Sequence, residues 1–460
     1  MFVDRAAELT TLNNEYKKGE SSLVIIYGRR RVGKTALISE FLRQKKTGLY
    51  FLATEESEEL NLRSFRNQAA QLTSNELLAE SNASWETVFR EIVKHKGAKK
   101  KIIVIDEFQY IGRSNPAFPS MIQKIWDTIL KDANIMLILC GSLVASMRRQ
   151  TLDYTSPLYG RRSAQIRLKQ IPFANYHEFF RQKSDSELIP LFAVTGGVPK
   201  YIESFADTED IFDGIKRKIL NPQSYLYEEP FFLLRNEVNE IGSYYSIIRA
   251  ISMNNHKLSE ISSFLGVKQT GLSRYLKVLS ELDIIEREVP ATELNPEKSK
   301  NGLYQIRDNY LLFWFRFVYP YLSLLERGES EYVLSRIKKG FIQNHVSYIF
   351  EDICRERVSE LAAKGYLPFV PSVCGRYWGK DCGETDIVAF TPGDNNLIIG
   401  ECKYSTSQKG LKVFHALEEK ASALKKLTGT NEVSYVIFSN SGYTKGLIDE
   451  CERNDDLYLF

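Results

Sequence analysis

Three stretches of this chain place side chains at spacings that can do chemistry. The first reads "IIYGRRRVGKTALISEFL", in which Gly28 is followed after four residues by Gly33, Lys34 and Thr35. This G-x-x-x-x-G-K-[ST] spacing suits a phosphate-binding loop. Glycines let backbone N–H groups curl around phosphate oxygens, and the start of a following helix adds partial positive charge. Lys34 is expected to reach the β- and γ-phosphates, and the Thr35 hydroxyl to ligate magnesium. The expected cradle is Gly28, Arg29, Arg30, Arg31, Val32, Gly33, Lys34, Thr35 and Ala36.

The second stretch, "KKKIIVIDEFQYI" (99–111), is an apolar β-branched run ending in two carboxylates. Asp106 is expected to hold the magnesium, usually through water. Glu107 is the natural base to orient the attacking water. Ser142 closes another apolar run, "NIMLILCGS", where it could sense the γ-phosphate. In "SPLYGRRSAQIRLKQIPF", Arg161 or Arg162 is a candidate arginine finger, in cis or from a neighbouring subunit; the alternative is a solvated edge.

The third set is Asp386, Glu401 and Lys403. In "GECKY", Glu401 and Lys403 stand two apart on an expected strand and so share a face. If that strand pairs with "ETDIVAF", Asp386 joins them. Two carboxylates and a lysine around one point suit magnesium, which would polarise a phosphodiester and lower the pKa of a bound water. Lys403 would orient that water or stabilise developing charge, and Glu351 from the preceding helix could complete the site. The alternative is an ion pair in a purely structural α/β domain.

Elements must position these groups. "SSLVIIYG" suits a buried parallel strand, and "KTALISEFLRQ" an amphipathic helix. With "GLYFLA" and the two apolar runs above, the reading is a five-stranded parallel sheet with an extra strand between the magnesium strand and the phosphate-loop strand. From 244 to about 307 the pattern changes to three short helices and a hairpin, a winged helix-turn-helix pattern. Lys268, Gln269, Thr270, Ser273, Arg274 and Lys277 lie on the polar side of the third helix, within reach of DNA phosphates or base edges. "YLLFWFRFVYPYLSLL" is interrupted by Arg316 and Pro320, so it is expected as a buried, kinked helix rather than a membrane span. From about 341 the order is helix, three strands, helix, strand.

"FVDRAAEL", the phosphate loop, "VIDEFQYI", "CGS", "SPLYGRR" and "TGGVPKYI" occur in this order, and the chain resembles the archaeal-type ATPases of the AAA+/STAND group. The resemblance implies that residues 2–5, Asp4 and Arg5 among them, flank the adenine. It also implies that "GGVP" sits in a small helical part closing over the nucleotide. Winged helices in that group often serve as intramolecular packing modules that report nucleotide state, which is the alternative to DNA contact here. The last part resembles the PD-(D/E)xK nuclease fold, with Thr385 where the pattern has proline.

Composition bounds these readings. A chain of 460 residues is too long for one core and suggests about three domains. With 43% apolar and 26% charged residues it reads as ordinary soluble protein, and a formal charge of +3 does not by itself imply nucleic acid. Six cysteines without a C-x-x-C pair support neither zinc nor a disulfide framework, and the N-terminus lacks a signal-peptide pattern. The expected location is cytoplasmic, without membrane contact. The expected fold is α/β: a P-loop NTPase parallel sheet at 1–172, a helical lid at 173–240, a winged helix-turn-helix at 241–310, aromatic connecting helices at 311–340, and a restriction-endonuclease-like α/β domain at 341–460. The expected function is an ATP-binding, ATP-hydrolysing enzyme using magnesium, with a nucleic-acid-directed nuclease domain, DNA as partner and an oligomer possible. The alternative is a nucleotide-dependent switch or DNA-binding regulator whose nuclease-like domain is silent.

Overall fold

The computed structural model describes residues 2–43, 45, 48–95, 100–235, 237–238 and 240–460. Gln44 and Lys99, from the stretches quoted above, lie outside the described residues. The chain forms two units: Met1–Ile171 with Val198–Lys200 and Leu233–Asn239, and a second unit from the remainder.

In the first unit, the β-branched runs form strands β1 (Ser22–Tyr27), β2 (Gly48–Leu52), β3 (Lys101–Asp106), β4 (Ile135–Gly141) and β5 (Ala164–Arg167). They pair in parallel in the order β2-β3-β4-β1-β5. β4 therefore lies between β3 and β1, as expected. β1 and β4 are buried at every position, which is why they read as continuous apolar runs rather than alternating ones. Helix Lys34–Arg43 buries Leu37, Ile38 and Phe41, spaced for one face, in a core with Val24, Ile26, Val104 and Ile138. The C-terminal ends of β1, β4 and β3 thus bring Gly28, Ser142 and Asp106 to one edge of the sheet, where open α/β sheets bind ligands.

In the second unit, helices Ile241–Ser252, Leu258–Leu265 and Gln269–Glu281 precede an antiparallel hairpin, β6 (Ile285–Glu288) with β7 (Leu303–Ile306). Leu272, Leu276 and Leu279 are the buried side of the third helix. The aromatic run forms a chain of short helices: Asn309–Phe313, a widened π-type turn Trp314–Val318, Tyr319–Tyr321 and Leu322–Leu325. Pro320 sits in the first turn of its piece, where a missing N–H is tolerated.

The C-terminal part is a five-stranded sheet in the order β12-β11-β10-β9-β8. Its strands are β8 (Val373–Gly379), β9 (Gly383–Phe390), β10 (Asn396–Lys403), β11 (Glu432–Ser439) and β12 (Leu457–Leu459). β8, β9 and β10 run antiparallel, while β10, β11 and β12 run parallel. Helix Leu411–Thr428 packs Phe414, Leu417, Ala421 and Leu424 on Val388, Phe390, Leu397 and Ile399. The first strand begins only at Val373, because Pro368 and Pro371 ahead of it cannot donate to a ladder. Helix Lys445–Cys451 and the three-residue β12 extend the sheet beyond the expected last strand. No helix among the described residues is long and apolar enough to cross a membrane.

Candidate functional site

The phosphate loop leaves β1 at Gly28. A Cβ there would lie 2.4 Å from the Leu168 carbonyl oxygen, so only glycine lets the loop pass so close to the exit of β5. Gly33 takes φ +97°, a conformation that side chains resist, just before the helix begins at Lys34. Val32 is buried in the core and anchors the loop, while Arg31 and Ala36 are exposed. The Lys34 ammonium is buried, donates to the Gly28 and Arg29 carbonyls at 2.8 Å each, and is held below its usual pKa by burial. A buried cation whose hydrogen bonds go to carbonyls favours an incoming anion. Arg30 donates to the Tyr110 hydroxyl at 2.6 Å. Pro199 is the atom group nearest to Gly33 from outside the loop, at 3.9 Å from an added Cβ, so the "GGVP" stretch reaches the phosphate loop.

Across the edge, Asp106 is almost fully buried at the end of β3. Its Oδ2 accepts from the Thr35 hydroxyl at 3.3 Å and from the Tyr50 hydroxyl at 2.5 Å, and its Oδ1 accepts from the Glu107 N–H at 2.9 Å. A hydroxyl and a carboxylate oxygen converging in this way are hard oxygen donors of the kind magnesium takes, with room left for water, so these residues fit that ion. Burial and then the Asp106 carboxylate push the Tyr50 phenol well above its usual pKa, which keeps it a donor. Glu107 adopts the left-handed conformation, φ 53°. Such strain in a non-glycine residue persists only where neighbours hold it. Here the carboxylate accepts from the Ser142 N–H at 3.1 Å, the Ser142 hydroxyl at 2.7 Å and the Gln109 amide. Ser142 thus grips Glu107, a link the sequence reading did not contain.

Tyr50 and Gln109 were not singled out from sequence. Both had a signal: Leu52 pairs with Asp106 across the parallel strands, so Tyr50 lies two residues back on the same face. Gln109 follows Glu107 by two. Arg5 and Asp4, expected near the adenine, stand in left-handed conformations. The Arg5 guanidinium is buried and donates to the Val32 carbonyl at 3.1 Å and the Lys169 carbonyl at 2.6 Å, tying the N-terminus to the phosphate loop. Arg161 is not brought to the phosphates. Its guanidinium clasps Asp127 through Nε and Nη2, at 2.9 and 2.8 Å, and its Nη1 donates to the Pro157 carbonyl. Arg162 lies over the Tyr159 ring.

In the C-terminal sheet, Gly400 pairs with Ile387 across antiparallel strands, and Asp386 Oδ2 accepts from the Cys402 N–H at 2.9 Å. Asp386 therefore meets the Glu401–Lys403 stretch, as the strand pairing required. Lys403 donates to Glu401 Oε1, and Lys420 stands 3.7 Å from Oε2. Burial, and then the charge of Glu401, push the Asp386 carboxyl upward; burial, and then the charge of Asp386, push Glu351 up to about 8. Arg355 lies 4.0 Å from Glu351 and donates to the Asp386 carbonyl at 3.0 Å. Among the described residues, no group of three or more His, Cys, Asp or Glu side chains is arranged to hold a metal. The three acids are electrostatically close, but Glu401 is already clasped by lysines, so the arrangement does not present a ready cage for an ion.

The three-helix and hairpin segment has an exposed third helix. Lys268, Gln269, Thr270, Ser273, Arg274 and Lys277 all face outward, with Arg274 shared between Tyr275 and Glu240. The hairpin is engaged instead. Glu288 accepts from Arg376 Nε at 2.9 Å, the Ala291 N–H donates to the Arg376 carbonyl at 2.9 Å, and Trp378 Nε1 donates to the Asn301 carbonyl at 3.2 Å. The hairpin and its loop are thus docked on β8.

Residues 2–205 match the model of a family described as an ATPase domain predominantly from Archaea, and residues 314–414 match one described as "Archaea bacterial proteins of unknown function". The uncharacterized protein MJECL04 of Methanocaldococcus jannaschii is 35% identical over 464 residues, covering 100% of this chain and 99% of that protein. The uncharacterized ATP-binding protein MJ0423 of the same organism is 52% identical over 46 residues, 10% of this chain and 78% of that protein. Among solved structures, the Walker-type ATPase PABY2304 of Pyrococcus abyssi matches with a TM-score of 0.54 and 21% identity, over 68% of this chain and 96% of that one, a likeness of fold.

Proposed function

The chain belongs to the same family as M. jannaschii MJECL04 and carries the archaeal ATPase domain, and from that premise we propose that it hydrolyses ATP with magnesium at the edge formed by β1, β4 and β3. The observation that carries this is the approach of Thr35 to Asp106, with Glu107 next in sequence and the buried Lys34 at the phosphate loop. The loop N–H groups and Lys34 bind and orient the phosphates. Magnesium, held by Thr35 and Asp106, would supply charge neutralisation at the β- and γ-phosphates. Glu107 orients the attacking water and takes its proton. Ser142, bonded to Glu107, positions that carboxylate, and a γ-phosphate that drew on the Ser142 hydroxyl would release it. Asp4 and Arg5 support the adenine side, and the "GGVP" stretch supports the loop from above. An arginine finger would be Arg162, Arg161 after it leaves Asp127, or an arginine of a neighbouring subunit.

The reading keeps the order ATPase domain (1–172), helical lid (173–240), winged helix (241–310), connecting helices (311–340) and nuclease-like domain (341–460). The docked hairpin supports a winged helix used as an intramolecular packing module, with only its third helix left to meet DNA. Lys34→Ala tests the main reading: calorimetry should show ATP binding lost, and wild-type affinity in that variant would reject the site.

A second reading makes the C-terminal domain a metal-dependent nuclease at Asp386, Glu401 and Lys403, with Glu351 assisting. One observation favours it: Asp386 meets the Glu401–Lys403 stretch across paired strands, where burial, and then the neighbouring carboxylates, raise the Asp386 and Glu351 pKa values, a cost that a bound cation would relieve. The lysine clasp on Glu401 favours the silent alternative. Cutting of plasmid DNA with magnesium or manganese, with and without ATP, separates the two.

A further inference from the structure

Between β4 and β5 the chain runs through a stretch, 148–162, whose aromatic residues have no part in the hydrolysis just described. It carries four arginines, Arg148, Arg149, Arg161 and Arg162, against one acid, Asp153. That is a formal +3, as much as the whole chain carries. Two tyrosines stand out among these cations: Tyr154 is 83% exposed and Tyr159 44%. Their ring centroids lie 5.2 Å apart at an interplanar angle of 62°. The Arg162 guanidinium lies over the Tyr159 ring, 5.8 Å from its centroid. Its Nη1 is buried without a hydrogen-bond partner among the described residues, so it has donor capacity that an anion would use. The loop holds the rings in place. The Ser156 hydroxyl donates to the Gln150 carbonyl at 2.6 Å and accepts from the Leu158 N–H at 3.1 Å. The Tyr159 N–H donates to the Ser156 carbonyl at 3.0 Å, and the Arg161 N–H to the Leu158 carbonyl at 3.2 Å. Leu158, between the two tyrosines in sequence, is fully buried and anchors the loop. Rings held in this way lose little freedom when a ligand meets them.

We propose that Tyr154 and Tyr159 form a stacking site for the bases of single-stranded nucleic acid, with Arg162 beside them to meet a phosphate. A polyanion alone would use the arginines and have no need of exposed rings. An apolar partner would use the rings and be hindered by the cations. A single strand offers both flat base faces and a regular row of negative charges, and every base has a face that a tyrosine can stack on. A duplex keeps its base faces inside the stack, so it would engage the arginines and leave the tyrosines unused. The site belongs to the ATPase unit, whereas the exposed third helix Gln269–Glu281 belongs to the other. It is thus a second nucleic-acid contact with a different preference, and it stands whether or not the chain hydrolyses ATP.

The test measures binding of the whole chain to labelled oligothymidine and oligouridine of about 12 nucleotides, within the usual range of single-strand site sizes. An abasic oligomer of the same length carries the phosphates without the bases. Fluorescence anisotropy is followed for wild type, Tyr154→Ala and Tyr154→Phe, with and without ATP. Wild type should bind at least one base-bearing oligomer more tightly than the abasic one, and the tighter of the two tells DNA from RNA. Tyr154→Ala should weaken that binding roughly tenfold, the scale of one base stacked on one ring. Tyr154→Phe should stay near wild type, and the abasic oligomer should bind all three proteins alike. Equal affinity of wild type for abasic and base-bearing oligomers, binding to neither, or an unchanged affinity in Tyr154→Ala each overturns the proposal. So does a Tyr154→Ala variant that alters only the oligomeric state in sedimentation, since the rings would then meet a second copy of the chain. Should that variant not fold, wild type decides alone. An oligomer carrying 5-iodouracil should crosslink under light to Tyr154 or Tyr159, and adducts only at other residues overturn the site.

Discussion

At the scale of single residues, Glu107 and Tyr50 separate two roles around one aspartate. Glu107 is strained into φ 53° and held by Ser142 and Gln109, an arrangement that suits the base of the proposed function. Glu107→Gln should keep ATP affinity and lose turnover by roughly 10²–10⁴, the usual worth of a general base; single-turnover hydrolysis measures this, and wild-type rates would reject the role. Tyr50 donates to Asp106 Oδ2, the oxygen nearest the Thr35 hydroxyl. Groups that orient a metal-binding carboxylate commonly set affinity for the ion by about 10-fold or more. Tyr50→Phe should therefore raise the magnesium concentration needed for half-maximal turnover by roughly that factor. Manganese binding followed by electron paramagnetic resonance should weaken in parallel, and ATP binding without metal should not change. Identical magnesium curves for both proteins would show that the phenol does not position Asp106.

At the scale of elements, the π-type turn Ile342–Val346 sets a buried histidine against the aromatic helices. His345 is fully buried against Phe313, Phe317 and Phe341, and its Nε2 lies 2.7 Å from the Ala193 carbonyl. Burial, helped by the charge of Arg316, lowers its pKa to about 3. In the unfolded chain the imidazole titrates near ~6.5. A depressed folded pKa means stability present above the unfolded value and lost as pH falls through the window below it. Wild type should therefore lose stability from about pH 6.5 down toward pH 3, by ~1.4 kcal/mol per pH unit from this group. Thermal unfolding of His345→Gln over the same range should show a shallower acid slope. Parallel slopes would mean that the imidazole is hydrated in the folded state. The hairpin teaches a related lesson. Glu288, Ala291 and Asn301 of the hairpin and its loop bond to β8, so these groups are already partnered within the C-terminal part.

At the scale of the whole chain, the question is whether the two chemistries the sequence suggested are independent. The ATPase edge lies in one unit and the Asp386 site in the other. Under the nuclease reading, Asp386→Ala and Lys403→Ala should each abolish plasmid cutting while ATP hydrolysis persists. Cutting by both variants at the wild-type level would place any such activity elsewhere, and no cutting by wild type with any divalent ion would leave the C-terminal domain a silent partner of the ATPase.

Sequence alone determined the parts whose chemistry is local. Gly28, Gly33, Lys34 and Thr35 lie on one turn, and the buried parallel strands around them read as unbroken apolar runs because both faces are covered. The place of β4 between β3 and β1 was legible too, since a phosphate loop and its carboxylate follow a recurrent strand order. What sequence could not decide are the choices made by side chains from distant parts of the chain. Arg161 could pair with a phosphate or with Asp127, and packing places Asp127 beside it. Lys403 could serve a metal or clasp Glu401, and Lys420 from the following helix reinforces the clasp. Charge interactions act through space over a few ångströms with no regard to sequence separation, so only the folded chain shows which cation each carboxylate meets.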